Sequence, residues 1–257
     1  MDDPAEKIRY LLKNSGIGNF NQETRWIISE SASAENAWEI AQRRAAGEPL
    51  QYLLGSAPFR NLMLKVDPRV LIPRPETELL AQWIIDRAPG NGSILDLGCG
   101  SGAIAIAVAT ERPDLHVTAI DVSRDALDVA GENASIYKVK NIEFIHSYLF
   151  DAIPLVKFDI IGANLPYVTD EEFPLLDREV RDFEPRLALT APENGMALIR
   201  KTIENLPHHL LPGGSAIFEL SPPQAGITAG LLENAGFKTA ILRDLCNRER
   251  FVCAMTS

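Results

Sequence analysis

The stretch Ser93-Ile94-Leu95-Asp96-Leu97-Gly98-Cys99-Gly100-Ser101-Gly102 constrains the fold most. A short apolar run stops at a glycine-rich loop, and a small-residue segment, Ala103 to Thr110, follows with helical character. Glycines let the backbone turn sharply and approach a ligand with no Cβ in the way. The helix start that follows offers free N–H groups to an anion. The spacing is G-x-G-x-G after an Asp, not the G-x-G-x-x-G of dinucleotide binders. A glycine turn that merely starts a helix would explain the loop without any ligand.

The pattern continues as alternating strands and helices. Strands are expected at 116–121, 142–145, 158–163, 215–220, 237–242 and 250–254, with helices at 124–134, 196–210 and 224–235 between them. This is an α/β chain with a mostly parallel sheet of seven strands, covered on both faces. His208 and His209 are placed in the last turn of a helix that ends before Pro212-Gly213-Gly214.

Upstream the character differs. Residues 1–56 read as a small helical unit: a first helix on Ile8, Leu11 and Leu12, a second from Glu23 to Ser29, a third from Ser33 to Ala46, and a turn at Gln51–Leu54. Such a unit suits substrate recognition, or it only packs against the main domain. Residues 57–73 read as a β-hairpin linker turning at Asp67-Pro68-Arg69, and residues 74–257 as the main domain. Pro75 is placed at the first position of the next helix, with Glu76 and Glu78 complementing its positive end. Capping leaves Arg74 unexplained.

Two carboxylates and one loop carry the chemistry. Asp96 can pair with an ammonium group, and Asp121, ending the second strand, can accept both hydroxyls of a ribose. An amino acid joined to a ribose describes S-adenosylmethionine (SAM). Asn164-Leu165-Pro166-Tyr167 ends the fourth strand, and ligands of open α/β sheets bind outside the carboxyl ends of strands. A carboxamide beside an aromatic ring suits a planar NH2-bearing group, since it sets a donor and an acceptor side by side. Asn and Pro are also ordinary turn residues.

The net charge of −10 is uneven. Residues 1–75 hold ten Lys/Arg and nine Asp/Glu, and the remainder holds fifteen and twenty-six. An acidic main domain argues against a nucleic-acid clamp, which works by neutralising phosphates. Three cysteines (Cys99, Cys246 and Cys253) in no ligand spacing point to a reducing cytoplasm, with no metal and no disulfide framework. No apolar run approaches the ~20 residues that span a bilayer. A monomer is expected.

The glycine loop with Asp121 resembles the class I SAM-dependent methyltransferases, with their Rossmann-like seven-stranded sheet. Four further stretches resemble the HemK/PrmC family of protein-(glutamine-N5) methyltransferases. They are Gly47-Glu48-Pro49-Leu50-Gln51-Tyr52, Leu71-Ile72-Pro73-Arg74-Pro75-Glu76-Thr77-Glu78, Asn164-Leu165-Pro166-Tyr167 and Glu179-Val180-Arg181-Asp182-Phe183-Glu184-Pro185-Arg186. The resemblance runs from about residue 5 to residue 254. It implies methylation of the glutamine of the Gly-Gly-Gln motif in class I peptide-chain release factors, with SAM as methyl donor. It implies SAM binding by Asp96, Gly98, Cys99, Gly100, Ser101, Gly102 and Asp121, with an adenine contact from Tyr148, which could equally be packing. Asn164 would touch both cofactor and substrate. Leu165, Pro166 and Tyr167 would form the glutamine pocket, Arg74 would assist, and Asn164 and Tyr167 would be the catalytic pair. The helical unit would help grip the release factor.

The chain departs from the family pattern in three places. Leu165 stands where the family usually has Pro. Ala191-Pro192-Glu193-Asn194-Gly195 replaces a Gly-Gly-x-x-Gly, and Ser221-Pro222-Pro223-Gln224 lacks the usual glycines. Asn-Leu-Pro-Tyr is also how ribosomal RNA adenine-N6 methyltransferases write this loop. Methylation of adenine in RNA or DNA, or of a glutamine in a ribosomal protein, is therefore an alternative, and a catalytically dead SAM-binding scaffold is a third.

Overall fold

The computed structural model describes residues 3–256. Four helices open the chain: α1 (Pro4–Asn14), α2 (Phe20–Glu30), α3 (Ala34–Ala45) and α4 (Leu50–Leu54). Asp3 accepts a hydrogen bond from the Ala5 N–H and Ser33 from the Asn36 N–H, each satisfying a free amide at a helix start. Gly55, at φ 71°, ends α4 in the left-handed conformation that glycine adopts freely. Ile8, Leu12, Ile27, Ile40 and Leu50 close over one another as a core of their own. The second helix starts at Phe20 rather than Glu23, because the Asn19 carbonyl already accepts the Gln22 and Glu23 amides.

The hairpin is shorter than expected and turns earlier. β1 (Ser56–Phe59) pairs with β2 (Leu62–Lys65) around Arg60-Asn61, not around Asp67–Arg69. Arg60 takes φ 53° there, held by its N–H donating to Glu78 and its guanidinium reaching Glu111 and Gln82. The stretch 66–72 has no strand partner among the described residues. Its alternation records burial of Val66, Val70 and Ile72, not pairing. Helix α5 (Thr77–Arg87) begins two residues after Pro75, which sits instead in a turn whose Thr77 N–H donates to the Arg74 carbonyl.

The remaining elements are β3 (Ser93–Leu97), α6 (Ala103–Glu111), β4 (His116–Asp121), α7 (Arg124–Ile136), β5 (Ile142–His146), β6 (Phe158–Ala163), α8 (Arg178–Phe183), α9 (Ala197–His209), β7 (Leu210–Glu219), α10 (Pro222–Asn234), β8 (Lys238–Arg243) and β9 (Glu249–Met255). Their sheet has the order β5-β4-β3-β6-β7-β9-β8. The first five run parallel, and β9 runs antiparallel to both neighbours. From β3 the chain winds outward to β4 and β5, then returns to place β6 on the other side of β3. That reversal opens a crevice at the carboxyl ends of β3 and β6, where open α/β sheets bind ligands. One core packs α5 and α6 on one face, and a second packs α9 and α10 on the other. Pro212-Gly213-Gly214 lies inside β7, where the pairing with β6 shifts register between Phe158 and Ile160.

Two polar clusters tie the parts together. Asn133, fully buried on α7, accepts the Lys65 N–H (2.7 Å) and donates to the carbonyls of Lys65 and Ser101, so it joins the hairpin to the glycine loop. Arg44 of α3 donates to Glu23 of α2 (2.7 and 3.1 Å) and to Glu179 of α8 (2.6 Å). Among the described residues, no helix is long and apolar enough to cross a membrane.

Candidate active site

A cavity of about 360 Å³ occupies the crevice. Its wall includes Arg74, Gly98, Cys99, Gly100, Ser101, Asp121, Tyr148, Asn164, Leu165 and Pro166, so one space gathers the glycine loop and the fourth-strand loop. Asp96, Gly102 and Tyr167 are not among the lining residues but adjoin them in the chain.

The glycine loop is bound tightly to its neighbours. Gly98, Gly100 and Gly102 have φ of 80°, 54° and 79°, a region that penalises side chains. The N–H groups of Gly98 and Cys99 both donate to the Ile120 carbonyl (2.8 and 2.9 Å). Gly102 packs so closely that a Cβ would stand 2.9 Å from Ile106 and 3.1 Å from Ala130. Asp121 accepts the Gly100 N–H through Oδ2 and the Ser123 N–H through Oδ1, both at 2.9 Å, which fixes its carboxylate on the cavity wall. Burial raises its pKa above the usual carboxylate range.

Asp96 is fully buried. Its Oδ2 accepts the Ala105 N–H (3.0 Å), while its Oδ1 has no partner among the described residues. Burial pushes this carboxyl up to about 7. A buried acceptor without a donor, beside a glycine loop, fits the ammonium of an amino acid. Burial raises the Cys99 thiol well above its ordinary value, so the cysteine contributes backbone and shape rather than a thiolate. Tyr148 is 41% exposed, and the Lys201 ammonium lies 4.3 Å from its ring centroid, which leaves the ring as a flat surface at one end of the cavity.

At the other end stands the fourth-strand loop. The Asn164 Nδ2 donates to the Thr77 Oγ1 (3.1 Å). Leu165 is buried in the second core, and its Cδ2 occupies the space where a Cβ on Gly98 would fall, 2.9 Å away. The side chain that departs from the family pattern thus interlocks the two loops. Arg74 reaches Glu184 (2.6 Å), whose other oxygen accepts the Ile72 N–H, so Arg74 braces the cavity rim at Pro185. Tyr167 is largely buried. Its carbonyl accepts a bond from Gln224 Nε2 (2.9 Å), and burial raises its phenol.

Residues not singled out in the sequence also shape the site. Thr77 lines the cavity. Glu219, ending β7, is buried with Oε2 unpartnered among the described residues and is pushed up to about 7 by burial, opposed by the Thr77 hydroxyl and the Arg250 charge. A lone acid closing an apolar strand was the signal for Glu219. Gln224 spans the altered loops by donating to the carbonyls of Tyr167 and Asn194.

Comparison with known proteins agrees with this arrangement. Residues 75–180 match the family model of the methyltransferase small domain. The release factor glutamine methyltransferase of Salmonella typhimurium is 41% identical, over 84% of this chain and 78% of its own length. That of Neisseria gonorrhoeae is also 41% identical, over 84% and 80%. That of Thermodesulfovibrio yellowstonii is 35% identical, over 99% and 92%. Two solved structures share the fold. The ribosomal protein L11 methylase of Lactobacillus delbrueckii has a TM-score of 0.54 at 24% identity, covering 76% of this chain and 84% of its own. A methyltransferase of Pyrococcus furiosus has a TM-score of 0.59 at 15% identity, covering 77% and 90%. With the class I methyltransferase sheet in place and such identity across most of both chains, this protein belongs to the release factor glutamine methyltransferase family.

Proposed function

We propose that this chain transfers a methyl group from SAM to the side-chain amide nitrogen of the glutamine in the Gly-Gly-Gln motif of class I release factors. The observation that carries the reading is the Asn164 carboxamide, held in the same cavity as the glycine loop and Asp121. The Asp96 Oδ1 would take the ammonium, Asp121 the ribose hydroxyls, and the Tyr148 ring the adenine face. The bound SAM supplies an electrophilic methyl on a sulfonium.

An amide nitrogen is a weak nucleophile because its lone pair is delocalised into the carbonyl. The protein's task is therefore mainly orientation, which can be worth roughly 7–11 kcal/mol. The Asn164 Oδ1 and the Leu165 backbone carbonyl accept the two amide N–H bonds and aim the nitrogen at the methyl carbon. Tyr167 would hold the amide plane by stacking. The four helices ahead of the hairpin would help hold the release factor.

Incubation with labelled SAM and a release factor, ribosomal protein or ribosomal RNA tests this reading. Label should appear on the release factor and vanish when its Gly-Gly-Gln glutamine is replaced. Label on RNA would overturn the reading in favour of adenine, and label on the ribosomal protein alone would move the substrate.

The cofactor end has its own test. An acid whose folded pKa is raised binds more protons folded than unfolded, so its contribution to stability falls as pH rises from its unfolded value towards about 7. Ammonium binding needs the ionised form. SAM affinity is expected to increase roughly fivefold to tenfold between pH 6 and 7.5, below the ~7.7–8.0 at which an α-amino group titrates. Titration calorimetry should show this slope in the native chain and its loss in Asp96→Asn. A flat native profile would remove the ammonium role from Asp96.

A further inference from the structure

The two acceptors given to the substrate amide are not fixed alike. Asn164 Oδ1 belongs to a side chain whose amino group is tied to the Thr77 hydroxyl (3.1 Å). The Leu165 carbonyl has no hydrogen-bond partner among the described residues, and Pro166, which follows it, has no N–H to give. Leu165 lines the cavity, so its carbonyl is a ready acceptor there. The peptide that carries it turns unless the chain is anchored on both sides.

Ahead of Leu165 the anchor is β6, which pairs with β7 as far as Ala163. Beyond it the anchor is the Tyr167–Val168 peptide, held at both edges. The Val168 N–H donates to the Leu189 carbonyl (2.9 Å), and the Tyr167 carbonyl accepts Gln224 Nε2 (2.9 Å). Only Asn164, Leu165 and Pro166 lie between the anchors, and the Pro166 ring locks one of their torsions.

Gln224, the third residue of α10, is buried. Its Oε1 accepts the Ser221 N–H (3.3 Å), and its Nε2 donates to the carbonyls of Tyr167 and Asn194 (3.2 Å to the latter). The Ser221 bond decides which way the head faces. With the oxygen on that N–H, the amino group meets the two carbonyls. A primary amide puts an acceptor and two donors on one flat head, and both sides are engaged here. Gly195 closes the space alongside, since a Cβ there would lie 2.0 Å from the same Tyr167 oxygen.

We propose that Gln224 is a positioning residue for methyl transfer: its carboxamide anchors the far end of the Asn164–Tyr167 loop and so fixes the Leu165 carbonyl that takes one N–H of the substrate amide. The inference rests on the role given to Leu165 above. Gln224 does not line the cavity and touches neither reacting atom in this scheme.

The test measures kcat, KM for a release factor, SAM affinity and melting temperature. Gln224→Met keeps the volume and loses all three bonds. It is expected to lower kcat about 10- to 100-fold, since a displacement of about 1 Å can cost ~10²-fold in rate. KM stays within about threefold and SAM affinity within about twofold, because the glycine loop takes its bonds from Ile120 and Asp121 instead. If Gln224→Met does not fold, Gln224→Glu serves. It keeps the Ser221 bond and, when protonated, one donor, and it is expected to lose about 3- to 10-fold in kcat. A double-mutant cycle separates anchoring from a merely structural role. Proline at position 165 stiffens the loop from within, so Gln224→Met is expected to cost less than about threefold in a Leu165→Pro background.

A folded Gln224 variant with native kcat, a loss carried by KM or SAM affinity, or an equal loss in both backgrounds would each overturn the proposal. Its failure is separable from failure of the functional reading. If the native chain labels the release factor and Gln224→Met does so at the native rate, that reading stands and the anchoring scheme falls. If the native chain leaves the release factor unlabelled, both fall.

Discussion

Asn164→Ala is expected to lower kcat for methyl transfer by about 10³-fold while SAM affinity stays within about threefold. Removal of one preorganised polar group from a reacting centre costs ~10²–10³ in rate, and here the group also sets the attack direction. Nothing in the cavity replaces it. The Leu165 carbonyl could hold one amide N–H, which leaves the nitrogen free to swing away from the methyl carbon. The glycine loop, Asp96 and Asp121 keep their bonds without Asn164, because their partners are Ile120, Ala105, Gly100 and Ser123. Single-turnover kinetics separate the chemical step from product release, and calorimetry reports the cofactor. Transfer within tenfold of the native rate would mean that another group holds the amide.

The second large effect concerns stability. Gly195→Ala is expected to destabilise the chain by on the order of 3–5 kcal/mol. Gly195 has φ 76°, and a Cβ there would lie 2.0 Å from the Tyr167 carbonyl oxygen and 2.6 Å from Gln224 Nε2. Neither neighbour can retreat cheaply, since the first is backbone and the second donates to that same oxygen. The substitution therefore combines overpacking, a left-handed conformation and the loss of a buried hydrogen bond. Urea unfolding measures the cost, and the displaced Tyr167 should also slow methyl transfer. A midpoint shift worth less than about 1 kcal/mol would show that the 191–195 loop yields more easily than its contacts suggest.

Much of this was legible in the sequence, for identifiable reasons. The β-α-β alternation, the glycine loop and the strand-ending Asn164 are local signals, written within a few residues by backbone geometry and burial. The hairpin was misplaced because an alternating apolar pattern appears wherever one side of a chain is buried. Only the tertiary bonds of Arg60 to Glu78, Glu111 and Gln82 move the turn forward. Pro75 was read as the start of α5, yet the helix waits for Thr77, whose side chain serves the cavity instead of a cap. Thr77 and Gln224 escaped attention because the residues they bond, Asn164, Tyr167 and Asn194, lie far away in the chain. Leu165 was legible as a departure from the family pattern. That it interlocks with Gly98 needed three dimensions.

The Arg44–Glu23–Glu179 cluster has a bearing on descent. Arg44 and Glu23 are shielded from water, so losing either leaves the other desolvated and uncompensated, whereas the more exposed Glu179 adds a second anion from a distant segment. The Arg44–Glu179 pair is thus the charge contact through which the opening helices meet the stretch that runs to the cavity rim. In a chimera joining residues 1–54 of one relative to the remainder of another, positions 23 and 44 come from one parent and position 179 from the other, so the cluster would survive only where the second parent also carries an acid at 179. Exchange of the helical unit would be tested at position 179, since Glu23 and Arg44 travel together.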